Sequence, residues 1–303
     1  LSPTNQQFEV VANFYDDLID AYRAELAKLG HPTDPNDTPE QVHRRYLNLL
    51  SRRIRAAPRR THTARDFVGP AAHQGAIDEI IRKASQGEDL NPHLSKSIAK
   101  DADFYDQALN YWGIHHLHLG KALEPNSGFI ERTGPLLFAR ITANDFYLIG
   151  IFKHGDWAEG RILEVLHANW PESIQQFRLN GILGLEAPTT NAEHKMAQKK
   201  HFNLPLRVAD GTVYAPLGGG ITPLGISPNI VFRGDREKAY MEDLERLTKA
   251  NASLLVDKAR ENGHSIGTNL HLKLTLDENR FPLITDTISG AKFQISIDPP
   301  PRP

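Results

Sequence analysis

Residues Trp112–Leu119 read Trp-Gly-Ile-His-His-Leu-His-Leu, three imidazoles set into an apolar stretch with the character of a strand. Side chains alternate along a strand, so Ile114, His116 and His118 share one face while His115, Leu117 and Leu119 share the other. Working outward, Pro135–Ile141 and Phe146–Phe152 are short apolar runs, and Thr142-Ala143-Asn144-Asp145 between them has hairpin-turn composition. Glu159–Trp170 then takes up helical spacing through Ile162, Val165 and Leu166, and Pro171 stops it. The expected centre of the protein is therefore a strand–loop–hairpin–helix unit.

The flanks differ from it. Phe8, Val11, Phe14, Tyr15, Leu18, Ile19 and Tyr22 recur every three or four residues, which predicts one amphipathic helix ended by Gly30. Thr38-Pro39-Glu40-Gln41 predicts the start of a second helix running to about Ile54, with Thr38 as N-cap. His73–Ser85 and Pro92–Leu109 are further helical candidates. Beyond the centre, Thr189–Lys200 predicts a short helix, Asp210-Gly211 a hairpin, and Arg236–Glu261 one long helix ended by Gly263. Thr268–Leu276, Phe281–Thr287 and Lys292–Ile297 predict a closing meander. The expectation is an α+β protein. Its regions are 1–110 (helical), 111–185 (a small antiparallel sheet with a helix) and 186–303 (a long helix and a short β-meander).

Composition narrows the chemistry. The chain has 303 residues, enough for two or three domains, and 40% are apolar, as in globular proteins. No run reaches the roughly 18–20 apolar residues that span a bilayer, and no charged n-region precedes an apolar core at the start. A cytoplasmic protein of bacterial style, without membrane contact, is expected. The absence of cysteine removes disulfides, thiolate metal sites and a cysteine nucleophile.

A net charge of −2 conceals a basic segment. Between Gln41 and Arg65 no acidic residue occurs, yet Arg44, Arg45, Arg52, Arg53, Arg55, Arg59, Arg60 and Arg65 do. Uncompensated arginines repel one another, and their forked donors suit phosphate. Two readings stand side by side: a solvated face paired with carboxylates from elsewhere, and a nucleic-acid-binding surface.

The histidines allow three readings. They are structural; or His116 and His118 form an H-x-H metal pair completed by His154, Asp156 or His167; or they are general acid and base for phosphodiester cleavage. Arg132, Arg140 and Lys153 lie on or beside the same hairpin, where a cation would stabilise charge developing on a scissile phosphate. Trp112, Trp157, Phe146 and Tyr147 offer faces on which an unpaired base stacks. In Lys153-His154-Gly155-Asp156-Trp157, Gly155 and Asp156 also suit a turn and an N-cap, which leaves Lys153 and His154 as site candidates. Gly218-Gly219-Gly220 matches no phosphate-binding motif and reads as a surface loop, and no G-x-S-x-G elbow occurs.

The segments Gly113–Gly120 (GIHHLHLG), Arg132–Arg140 (RTGPLLFAR), His154–Trp157 (HGDW) and Asn169–Ile174 (NWPESI) resemble an uncharacterised family of bacterial proteins. A sheet carrying basic and histidine side chains also resembles, by analogy, the RelE-type toxin ribonucleases, which cleave RNA without metal. His116-Leu117-His118-Leu119 and His271-Leu272-Lys273-Leu274 are similar to the paired motifs of two-histidine phosphoesterases. That family has a hydroxyl residue where this chain has His118 and Lys273.

Together these features predict a toxin-like ribonuclease or RNA-processing hydrolase needing no metal or other cofactor. His116, His118 and His154 are its acid–base candidates, with Arg132, Arg140 and Lys153 around the phosphate. Arg44, Arg45, Arg52, Arg53, Arg55, Arg59, Arg60, Trp112 and Trp157 would hold RNA. The alternatives are a non-catalytic component binding nucleic acid or a protein partner such as an antitoxin, in a defence or regulatory complex, and a His/Asp metal-dependent hydrolase.

Overall fold

A computed structural model describes residues 8–156, 160–182, 189–223, 225–277 and 281–294. The chain runs β1 (Glu9–Val11), α1 (Phe14–Lys28), α2 (Pro39–Arg52), β2 (Arg60–Thr63), α3 (Gln74–Gln86), α4 (Ser97–Lys100) and α5 (Gln107–Trp112). It continues through β3 (His115–His118), β4 (Pro135–Ile141), β5 (Asp145–Lys153), α6 (Arg161–Asn169), α7 (Asn191–Lys199), β6 (Leu206–Arg207) and β7 (Val213–Tyr214). It closes with α8 (Pro228–Ala250), α9 (Ala252–Glu261), β8 (Asn269–Leu276), β9 (Pro282–Asp286) and β10 (Lys292–Phe293). Helices and separate sheets make this an α+β fold. Among the described residues no helix is long and apolar enough to cross a membrane.

The described residues group into two compact units, one from residues 8–47 with 232–294 and one from 48–231. In the first, the sheet order is β1-β8-β9-β10. Leu270, Leu272 and Leu274 are buried while His271, Lys273 and Thr275 are exposed, the alternation of a sheet with one wet face. The spacing from Phe8 predicts helix through Val11. Glu9–Val11 instead pairs in parallel with Asn269–His271, a long-range pairing that overrides local periodicity. The helix begins only at Phe14, where Asn13 caps it by accepting from the amide of Asp16. The long helix begins earlier than its spacing predicts, at Pro228, and is interrupted at Asn251.

In the second unit the sheet order is β2-β5-β4-β3. β4 and β5 are the hairpin expected around Thr142–Asp145, and β2 joins β5 in parallel. Between Phe138 and Ala139 the register shifts, a bulge. The core joins Leu136, Phe138 and Ile149 of this sheet to Ile162, Leu163 and Leu166 of α6 and to Trp112. Pro92–Leu109, one helix by its pattern, is broken into short turns, α4 and α5, the last capped by Asp106 accepting from the Leu109 amide. Trp112 ends α5 rather than starting a strand, and Gly113 takes φ +67° there. A Cβ on Gly113 would meet an Arg140 nitrogen and the Leu217 carbonyl, so only glycine suits this cap.

Candidate functional site

β3 is the edge strand of its sheet and pairs with β4, placing His116 opposite Phe138 and His118 opposite Leu136. His118 is 2% exposed. Its Nδ1 accepts the amide N–H of Thr133 at 3.2 Å, and its carbonyl accepts from Nδ1 of His93 at 2.9 Å. Burial, reinforced by the nearby His116, Arg132 and His154, pushes its pKa down to about 4. His116 is also buried, and burial lowers its pKa, opposed by Asp106 and reinforced by His154 and Arg132. The strand thus brings His116, His118, Arg132 and His154 within electrostatic reach of one another, with Arg132 and His154 exposed.

His115, absent from the expected set, points to a second feature. Both its ring nitrogens are buried, with no hydrogen-bond partner among the described residues. Burial holds its pKa down at about 4 against the pull of Asp106. It lines a small cavity with Arg52, Ser95, Ser97, Asp106 and His116. His116 therefore stands where the exposed basic groups and the cavity meet.

The other expected site residues are placed as follows. Arg140 is buried, donates to the Ser173 carbonyl at 3.1 Å and stacks 5.5 Å over Phe177. Lys153 is exposed at the end of β5, and its amide donates to Asp156 Oδ2 at 2.8 Å. Asp156, expected to cap a helix, thereby closes a turn, while α6 begins at Arg161. Trp112 is fully enclosed, packed on Tyr111 and His194, which leaves no free face for a base. Trp157 lies outside the described residues.

The arginine segment divides by burial. Arg52 donates to the carbonyls of Asn48, Asp101 and Ala102, and Arg59 to those of Arg55, Ala57 and Thr142. Arg45 pairs with Asp37, and Arg60 pairs with Asp145, its directly opposite neighbour across the β2–β5 ladder. Arg44 is half-buried, and Arg53 and Arg55 are exposed. Arg60 also borders an open basin of about 500 Å³ with Pro58, Ser85 and Asn144.

Among the described residues no group of three or more His, Asp or Glu side chains is arranged to hold a metal ion. His271 lies on β8, in a different sheet from His116. The Gly218–Gly220 segment is not a free loop: the amides of Gly218 and Gly220 donate to the carbonyls of Tyr111 and Asn110. Sequence reading missed His115 and Asp106, and it placed Arg52 on a surface. The one local signal was Asp106 ahead of Gln107–Trp112, an N-cap pattern that points to a helix and not to a site. Compared with protein-family models, curated proteins and solved structures, the chain matches none.

Proposed function

We propose that the second unit is a phosphodiester-cleaving enzyme acting on RNA, with His116 as its acid–base residue and no requirement for metal. The observation that carries this reading is the position of His116, beside the exposed Arg132 and His154 and bordering the cavity that holds Arg52 and Asp106. A lowered pKa keeps His116 neutral at pH 7, the form that accepts a proton from a 2′-hydroxyl. Arg132 supplies positive charge for the phosphate oxygens, and His154 is the second proton carrier. His118, buried and bonded to Thr133, positions the strand and touches no substrate.

The test is incubation of the whole chain with labelled single-stranded RNA, with and without EDTA, beside His116→Ala and His154→Ala. Cleavage that persists in EDTA and is lost in His116→Ala supports the proposal. Cleavage that EDTA abolishes moves the chemistry to a metal. RNA bound but uncut in every lane favours a non-catalytic binding component, a reading to which the deep burial of His118 and Arg140 also lends weight.

A further inference from the structure

We propose that the open basin beside the start of β2 binds a phosphate group, free or as an ester, through Arg59, Arg60 and Asn144. This site is separate from the cleavage centre, since β2 and β3, the strand of His116, are opposite edges of one sheet.

Arg59 is only 7% exposed and forms part of the basin wall with Pro58, Arg60, Ser85 and Asn144. Its Nε donates to the carbonyl of Thr142 at 2.9 Å, and its Nη1 to those of Arg55 and Ala57 at 2.9 and 3.0 Å. Nη2 has no partner among the described residues and is not enclosed. Carbonyl dipoles hold the guanidinium but do not cancel its charge. No carboxylate among the described residues offsets it either: burial lowers its pKa, and the positive Arg55 lowers it further. A charge taken out of water needs a counter-charge, so a buried arginine with a free N–H on an open basin calls for an anion.

The rest of the wall agrees in sign. No Asp or Glu lines the basin. Asp145, next to Asn144, is already engaged: Oδ1 meets Arg60 Nε and His62 Nε2, each at 2.9 Å, and Oδ2 accepts from Arg60 Nη2 at 3.1 Å. That leaves Nη1 of the exposed Arg60 as a second donor. The exposed side-chain amide of Asn144 has no partner among the described residues and supplies a third. The Ser85 hydroxyl gives its proton to the Arg82 carbonyl and adds no donor. Guanidinium forks match the oxygens of phosphate in pairs. At about 500 Å³ the basin falls in the range of small-molecule sites, with room for a phosphate and an attached sugar.

The test follows the arginine side-chain resonances of the isotope-labelled whole chain during titration with sodium phosphate at constant ionic strength, with chloride as the reference salt. The Nε–H signal of Arg59 should shift saturably with phosphate and stay in place with chloride. Asn144→Asp puts a carboxylate into the basin at an exposed position, and it should weaken phosphate binding at least about tenfold with the melting temperature unchanged. Arg59→Lys keeps the charge but loses the fork, and should weaken binding by about tenfold as well. Because Arg59 also holds main-chain carbonyls, that variant can unfold; Asn144→Asp then carries the test alone. Adenosine monophosphate, the phosphodiester dinucleotide of adenosine, and adenosine itself separate the sources. A tighter monoester assigns a terminal phosphate, a tighter diester assigns a nucleic-acid backbone, and tightest binding of inorganic phosphate assigns the free ion. Adenosine should leave Arg59 unmoved. No saturable shift at Arg59 with any of the phosphates, a shift matched by chloride, or phosphate affinity unchanged in Asn144→Asp overturns the proposal. Phosphate binding retained by a His116→Ala chain that no longer cuts RNA distinguishes this site from the cleavage centre.

Discussion

The amide of Thr133 donates to Nδ1 of His118, and this one bond fixes the imidazole as the tautomer protonated on Nε2. With the ring buried, His118→Ala removes packing and strands the Thr133 amide. A loss of about 2–4 kcal/mol of stability is expected by urea denaturation. The folded pKa of His118, about 4, lies below its unfolded value of about 6.5, so the unfolded chain holds the proton more tightly. Stability is full above about pH 6.5 and falls as pH drops toward 4, and the steepness of that fall should lessen in His118→Ala.

For catalysis, His116→Ala should reduce RNA cleavage by about 10²–10⁴-fold, the usual contribution of a positioned acid or base. Arg132→Ala should lower turnover while leaving the folded stability almost unchanged, because Arg132 is exposed. Equal cleavage by the unaltered chain and both variants in single-turnover assays would remove His116 from the chemistry.

The arginines should separate into two behaviours. Arg53→Ala and Arg55→Ala, at exposed positions, should leave stability intact and lower the slope of RNA affinity against salt by about 0.7 for each phosphate the side chain neutralises. Arg52→Ala and Arg59→Ala should instead lower the melting temperature, since each strands buried carbonyls. Salt-dependent RNA binding alongside thermal melting distinguishes them.

Gly218→Ala should be disruptive although it adds a single methyl group. A Cβ there would collide with the carbonyls of Leu109 and Asn110 at the end of α5. Backbone must shift, and a loss of about 2 kcal/mol or more is expected. Gly211→Ala is the comparison: its Cβ meets nothing, so only the positive φ of +91° is strained.

In the first unit, Glu237 accepts from His43 at 3.0 Å, Tyr22 at 2.9 Å and Arg233 at 2.8 Å. Burial raises its pKa, but these hydrogen bonds prevail and hold it down at about 2. Its contribution is present above about pH 4.5 and is lost as pH falls toward 2. Glu237→Gln should cost about 2–4 kcal/mol at pH 7 and flatten the acid limb of the stability profile.

Local chemistry was legible in the sequence wherever it acts over a few residues. The β4–β5 hairpin, the Thr38 cap with Gln41 and the Asp210-Gly211 turn all rest on short-range hydrogen bonds or on alternation of period two. The α+β class follows from those elements. Partners distant in sequence were decided only by tertiary structure. Val10 lies extended because Leu270 is beside it, and Arg60 is neutralised because β2 joins β5 and sets it against Asp145. The same holds for the histidines. Alternation put His115 and His116 on opposite faces, but burial and the surrounding partners made His118 a packed acceptor for Thr133 and left His115 unsatisfied beside Arg52. Periodicity encodes which way a side chain points; what it meets depends on which segments pack there.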